Sequence, residues 1–424
     1  MTRGSVNQLV APRRVIPRLL AGLSYNGPAD LAEHYRQYGP LPMVTRRFID
    51  EVDASGLTGR GGAGFPTGRK MRIVADGGGT PVVVANGCEG EPASSKDRLL
   101  LTMLPHLVLD GIAAAAQALG AADTYLCVHD HEAALLERLE DAVAERADPV
   151  RVQVTGVPGR YVASEQSALV QFLNGGPAKP TFSPPRPQER GVRGRPTLVS
   201  NVETLAHLAL IARYGDRWFR SAGLPAAPGS MLVTVSGAVS RPGIYEIELG
   251  TPIGDVVMRA GGPTERPRAL LVGGFFGAWL DAEAAWRLPM THAALKAAGG
   301  ALGAGMVIVL PASSCLIAET ARVVRYLAGE SAGQCGPCVF GLPALADALA
   351  DLAYHGGRGR TLDRLARLIP LVERRGACKH PDGVTQLIMS ALRLAAGDAR
   401  RHDAVGPCEA IAREPLLPLP AEDR

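Results

Sequence analysis

Cys335 and Cys338 stand three positions apart on a tight Gly-Pro turn, at the end of the string Ser331-Ala332-Gly333-Gln334-Cys335-Gly336-Pro337-Cys338, and Cys378 follows from a distant segment. A C-x-x-C turn aims both sulfurs at one centre, so with the third thiol the set reads as a metal or iron–sulfur site. A fourth thiol is missing, because Ala332 stands where one would be placed most easily. Three thiolates suit a three-iron cluster, or a four-iron cluster whose remaining iron takes another ligand. Cys408, behind Gly406-Pro407, leads the candidates for that ligand, ahead of Cys315, His380 and water. Tetrahedral zinc on three thiolates plus one further donor is the competing chemistry, and a labile or missing cluster is a third outcome.

A second constellation is Gly59-Arg60-Gly61-Gly62-Ala63-Gly64-Phe65-Pro66-Thr67-Gly68-Arg69-Lys70. Glycines let backbone amides approach an anion closely, Arg60 and Lys70 add positive charge, and a helix begun at Pro66 would present its N-terminus. The string matches G-x-G-x-x-G formally, yet the dinucleotide-fold context fails: Phe48 to Ala54 reads as helix, and no acid sits about twenty residues on. Asn86, Glu89 and Glu91 would face the loop from the end of a strand. By itself such a loop is as readily a flexible turn as an anion site, and these three residues weigh toward the functional reading.

These residues need a scaffold, and the surrounding text alternates strand and helix. Pro81 to Ala85 is a short β-branched run, Arg98 to Leu119 one long apolar helix, and Thr124 to Val128 a strand. His131 to Arg146 is an amphipathic helix and Val150 to Thr155 a third strand. That order implies a parallel α/β sheet with right-handed crossovers, whose ligands collect at the carboxyl ends of the strands, here the loop Asn86 to Asp97. Asn174 to Pro196 is a long irregular connection, Thr204 to Arg220 is helical, and Ala226 to Gly229 is a linker. From Met231 two alternating strands flank the turn Ser240 to Gly243; a helix over Pro252 to Ala260 and a strand near Ala269 to Val272 complete a small β-grasp-like unit. Beyond Pro311 the pattern is helical: Cys315 to Leu327, Leu342 to Leu352, Leu362 to Val372 and Thr385 to Leu394. The polar, then Pro-rich tail after Ala396 reads as loosely ordered. The division is therefore 1–225, an α/β cofactor-binding domain; 226–305, the β-grasp; 306–396, a helical cluster domain; and 397–424, a tail.

At 424 residues the chain is too long for a single core. A net charge of +4 argues against wholesale nucleic-acid binding, and seven cysteines spread thinly argue for a reducing, cytoplasmic setting over a disulfide framework. No run reaches the roughly 18 apolar residues of a transmembrane segment. The basic start (Arg3, Arg13, Arg14, Arg18) lacks a signal peptide's apolar region and reads as an ordinary extension. Cys127 and Cys315 read as core residues, Cys88 as either a reactive thiol or a simple replacement, and His129 and His131 as a solvated turn. Arg186 to Arg195 is a solvated loop or a docking face for an acidic electron carrier.

Taken together, the strings resemble the flavin-bearing, NADH-oxidising F subunit of respiratory complex I and the related diaphorase subunits. The likeness runs from about residue 18 to 395 and has four anchors. Gly59 to Lys70 is similar to the family's GRGGAGFPTG-x-K flavin loop. Asn86-Gly-Cys-Glu-Gly-Glu-Pro92 with Lys96-Asp97-Arg98 is similar to its N-x-D-E-G-E-P…K-D-R segment, and Gly194 to Thr204 to its GKPT…NNVET segment. Glu330 to Cys338 plus Cys378 resembles its E-S-C-G-x-C-x-P-C…C cluster motif, with Ala332 in place of the first thiol. The middle unit resembles the family's soluble-ligand-binding β-grasp.

The resemblance implies FMN held by Gly59, Arg60, Gly61, Gly62 and Lys70, by Asn86 and Glu89, by Ser164 and Glu165, and by Val199, Ser200 and Asn201. It implies a reduced nicotinamide substrate met by Phe65 and Glu91, and a cluster, [4Fe-4S] or [3Fe-4S], on Cys335, Cys338 and Cys378. The nicotinamide side departs from the family: Ile73 and Arg186 replace phenylalanines, Ser183 a lysine and Gln166 a glutamate. Loss of the acid removes repulsion against a 2′-phosphate and Arg186 could attract one, so NADPH could compete with NADH. The implied activity is electron transfer between NAD(P)H and a ferredoxin or another iron–sulfur subunit, with no catalytic acid or base, in a protein at most peripheral to a membrane complex. The alternatives are a redox adaptor with an idle nicotinamide pocket and a non-enzymatic docking adaptor.

Overall fold

The computed structural model describes residues 18–24, 27–148, 150–356 and 359–420, so the basic start lies, apart from Arg18, outside the described residues. Four parallel strands form the first sheet: β1 (Val82–Asn86), β2 (Asp123–His129), β3 (Val152–Val157) and β4 (Thr197–Asn201), in the order β3-β2-β1-β4. Strands β1, β2 and β4 are nearly continuous in burial because both faces are covered, whereas β3 at the sheet edge is buried only at its two ends. Val83, Ala85, Leu126 and Leu198 point into one core, and Val82, Val84, Cys127 and Val199 into the other. The chain leaves β1 toward β2 on one side, while β4 closes the other. The crevice between β1 and β4 is therefore the topological switch point, where ligands of open parallel sheets bind. Register pairs Asn86 with Asn201 there.

The long apolar helix expected over Arg98 to Leu119 is two helices, Lys96–Met103 and Pro105–Leu119, bent by 96°. The reason is Pro105. The residue before a proline is pushed out of the helical region, and Leu104 adopts φ −136°, ψ 48°. Pro105 then opens the second helix where its missing N–H is no loss. That helix lies so close to helix Val202–Arg220 that a Cβ on Gly111 would sit 1.9 Å from the Leu205 carbonyl oxygen. On the same helix, buried Asp110 gathers His34 (2.7 Å), Arg146 (2.6 Å) and Arg213.

The middle unit is a five-stranded mixed sheet built from β5 (Ser230–Gly237), β6 (Gly243–Glu248), β7 (Pro267–Val272), β8 (Ala278–Asp281) and β9 (Met306–Pro311). Its order is β8-β7-β9-β5-β6, with β9 central, antiparallel to β7 and parallel to β5. The expected helical segment from 306 therefore begins with a strand of the preceding sheet. Met306 to Pro311 is a fully buried apolar run, which periodicity alone cannot tell from buried helix.

Helices Leu316–Gly329, Leu342–Ala350, Thr361–Val372 and His380–Leu394 then pack as a bundle around a second large core. The segment Pro337–His355 has the length and apolar composition of a membrane span, and 44% of it is buried in this bundle. The tail departs from the loose order expected of it. Helix Ala396–Val405 continues the bundle, and Leu417 and Leu419 are buried against it. The Glu319 carboxylate fixes the last turn by accepting the amides of Leu416 (2.7 Å) and Leu417 (3.1 Å).

Candidate functional site

A cavity of about 770 Å³ opens at the β1–β4 crevice, within the size range of small-molecule sites. Its floor is the glycine loop, closed on itself by Gly59 N–H donating to the Phe65 carbonyl (2.9 Å) and Thr67 N–H to that of Leu57 (2.8 Å). Gly62 (φ 113°) and Gly64 (φ 62°) take left-handed backbone conformations open to glycine, and a Cβ on Gly64 would strike the His292 ring at 2.3 Å. At Gly61 a Cβ would come within 3.2 Å of the Asn201 Cβ. The helix after it starts at Thr67, as the sequence suggested. Its Lys70 reaches across to the Val199 carbonyl at 2.5 Å, and burial draws its ammonium down to about 8, with Glu165 opposing.

All fourteen residues expected to hold the cofactors line this one cavity, from Gly59, Arg60, Gly61, Gly62, Phe65 and Lys70 to Val199, Ser200 and Asn201. Their side chains divide the work unevenly. Arg60 corrects the expectation of a phosphate-binding cation: its guanidinium turns into the interior, donating to the Thr58 hydroxyl (2.8 Å) and Ser230 carbonyl (3.0 Å) near Glu203. Glu89 spends its carboxylate on the helix Lys96–Met103, accepting Asp97 N–H (3.2 Å) and Arg98 N–H (3.1 Å). Glu165 likewise accepts the amides of Ser167 and Ala168. Asn86 donates to the Ser164 carbonyl at 2.8 Å, tying the strand end to the turn above it.

Glu91 differs. One carboxylate oxygen accepts from Phe275 N–H (2.9 Å) and the Tyr161 hydroxyl (3.1 Å), while the other is buried without a partner. Burial lifts its carboxyl to about 7, against those two donors. A polar atom in that state is what a bound ligand would satisfy. Cys88 lines the cavity and is buried, and desolvation raises its thiol well above the usual range, which favours the simple-replacement reading over a reactive thiol. Ile73, Gln166 and Arg186 also line the cavity; Ser183 does not.

Lys96 and Asp97 lie within the second family anchor, yet nothing in their spacing assigned them a site role. Lys96 is fully buried at the cavity's base, paired with Asp97 (2.7 Å) and Glu203 (2.9 Å), and Asn201 donates to Asp97 at 2.6 Å. On the far wall His380, a candidate cluster ligand, has its Nε2 hydrogen-bonded to the Leu327 carbonyl at 2.7 Å, and beside it stand residues the sequence left unassigned: Lys379, and Gly273, Phe276 and Gly303 of the middle unit. No local pattern could announce those.

Cys335 and Cys338 face each other with sulfurs 3.7 Å apart at the start of the turn Pro337–Gly341, and each interacts electrostatically with Cys378. Burial and the Cys335 sulfur push the Cys338 thiol to about 11. Ala332 is buried and offers no donor. Cys408 and Cys315, expected to compete for the fourth iron, are gathered elsewhere with His402. The donor set fits an iron–sulfur cluster with three protein thiolates. The cavity, with its glycine floor, Lys70 and unpartnered Glu91 oxygen, fits a flavin with room for a second ligand.

Comparison with known proteins agrees with this layout. Residues 52–210 match the Nuo51 FMN-binding domain, 232–274 the SLBB domain, and 318–402 the iron–sulfur binding region of NADH-ubiquinone oxidoreductase F. The F subunit numbered 2 of the Rhizobium meliloti NADH-quinone oxidoreductase is 32% identical over 362 residues, 81% of this chain and 86% of that protein. The corresponding F subunit of Streptomyces coelicolor is 31% identical over 383 residues, 85% of this chain and 84% of that protein. Among solved structures, an NAD⁺-reducing [NiFe]-hydrogenase in the H2-reduced state is similar, with a TM-score of 0.77 and 31% identity. That match covers 85% of this chain, which spans 63% of the hydrogenase chain's length. With most of their length shared at this identity, the chain belongs to the F-subunit family of NADH-quinone oxidoreductases.

Proposed function

We propose that the chain is an electron-transfer flavoprotein subunit that takes a hydride from NAD(P)H and delivers single electrons to an iron–sulfur partner. One observation carries the reading: the glycine floor, the Glu91 wall and the Cys378–His380 loop line the same cavity. When bound, FMN supplies the conversion of a two-electron donor to one-electron steps, and a cluster on Cys335, Cys338 and Cys378 supplies the exit. The protein's own part is binding and orientation. Lys70 and the glycine loop would hold the flavin phosphate; Asn86, Ser164, Glu165, Val199, Ser200 and Asn201 would frame its ring system. Glu91 would receive the nicotinamide-side ligand on its unpartnered oxygen, and Phe65 would stack against it.

Arg186 and Gln166 on the cavity wall favour acceptance of a 2′-phosphate, so NADPH is expected to rival NADH. Anaerobic stopped-flow bleaching of the flavin in reconstituted protein tests both: faster reduction by NADPH supports the Arg186 argument, and no bleaching with either dinucleotide sinks the dehydrogenase reading. Val339 and Phe340, exposed beside Cys338, suit docking of a ferredoxin or iron–sulfur subunit. A cytoplasmic position, peripheral to any membrane complex, accords with this role.

A further inference from the structure

The bundle contains a second constellation that the flavin and cluster chemistry does not use. Cys315, His402 and Cys408 bring two sulfurs and an imidazole nitrogen within 4.8 Å of one another. Cys315 caps the start of helix Leu316–Gly329, whereas the Cys335 motif follows that helix's other end. Fourteen residues of helix place about 21 Å between the two groups. They are separate sites.

The imidazole is set for ligation. His402 is wholly buried; its Nδ1 donates to the Leu352 carbonyl at 3.2 Å, and its Nε2 accepts the Cys408 amide at 3.2 Å. Both contacts require the proton on Nδ1 and the lone pair on Nε2, and Nε2 lies 3.8 Å from the Cys315 sulfur. A carbonyl on the far nitrogen is how metal-ligating histidines are normally oriented. The separation suits two donors sharing one tetrahedral ion at bond lengths of about 2.0–2.3 Å.

We propose that Cys315, His402 and Cys408 bind a zinc-class divalent cation that fastens the tail after Val405 to the bundle. Sulfur and imidazole donors without a carboxylate select zinc over magnesium or calcium. Binding releases two thiol protons to solvent, forms two metal–sulfur bonds and one bond to Nε2, and displaces the Cys408 amide from that nitrogen. The fourth position falls to water on the side of Cys408, the least buried of the three. No oxidant or reductant is involved.

The test is zinc and iron content of full-length protein prepared anaerobically with both metals supplied, read beside cobalt substitution. Wild type is expected to hold one zinc per chain besides its iron, and cobalt to give thiolate charge-transfer bands. Cys408→Ser and His402→Gln should lower zinc affinity beyond the roughly 10–100-fold typical of losing a partner outside the ligand set. Iron and flavin content should persist in Cys408→Ser, which separates loss of the site from misfolding. Cys338→Ser should lose iron and keep zinc, so the result stands even if the dehydrogenase reading fails. Wild type without zinc or cobalt bands, zinc lost with Cys338 instead of Cys408, or a Cys315–Cys408 disulfide as the native state would each overturn the proposal.

Discussion

Glu91 carries the most informative single carboxylate, with its proton held to about 7 by burial against an ordinary value of 4.5. The folded chain therefore binds a proton that the unfolded chain has released between those values. Stability falls as pH climbs through that interval, and the full cost is present above it. Thermal melts of apoprotein from pH 4.5 to 8 should show this decline, about 2–3 kcal/mol from this group, and Glu91→Gln should make it shallower by that share, the remainder belonging to Glu89, whose carboxyl burial also lifts to about 7. An equally steep decline in that variant would assign the effect elsewhere. For Lys70, loss of a charged hydrogen bond in Lys70→Met should weaken FMN by about 1.5–3 kcal/mol, roughly 10- to 150-fold, measured by flavin fluorescence titration. Ala332→Cys supplies the absent thiol at a buried position beside Cys335; cluster iron should then resist chelators longer and the EPR signature should be that of a four-iron cubane. At this scale the sequence revealed residue types well. Lys70, Glu91 and the three cysteines could be named from spacing, but the inward turn of Arg60 depended on Ser230, 170 positions away.

Helices and strands were legible wherever their signal was local. The parallel strands, the hairpin around Ser240 and the helix after Pro66 follow from β-branched runs, alternation and turn residues. Pro105 was visible too, and its effect on Leu104 is enough to break the helix that composition alone would continue. The central strand Met306–Pro311 and the ordered tail were hidden because partners far along the chain decide them. Gly111 gives a direct test of such a long-range constraint. Replacing it with valine forces atoms into the Leu205 carbonyl, which should cost about 1–3 kcal/mol or more in denaturant unfolding. Gly120→Ala, at a position where a Cβ meets nothing but φ is 66°, reads the separate backbone cost of a left-handed position, which helical Gly111 does not carry. A Gly111→Val protein as stable as wild type would mean that the two helices can part without loss.

Three bodies of chain meet around the cavity, and their seam is a small aromatic junction. Tyr161 of the first sits 5.0 Å, centroid to centroid, from Phe276 of the middle unit and 5.7 Å from His380 of the bundle. Beside it Arg160 pairs with Glu330 at 3.0 Å, and the Tyr161 amide donates to the same carboxylate at 2.6 Å. Phe276→Ala, at a ring that is only partly buried, should cost less than the about 3–5 kcal/mol of a core phenylalanine, and should loosen retained flavin before it unfolds either neighbour. Release of flavin and global melting at one temperature would argue against a separable seam. Because Gly303 bridges to Gly62 and His380 closes the far wall, the chamber is finished by amino acids translated hundreds of codons after its floor. A nascent polypeptide leaving the ribosome N-terminus first can fold its parallel sheet early, yet it has no complete vessel for a prosthetic group until the last helices emerge. Cofactor loading is thus a late maturation event, and prematurely terminated products would stay colourless.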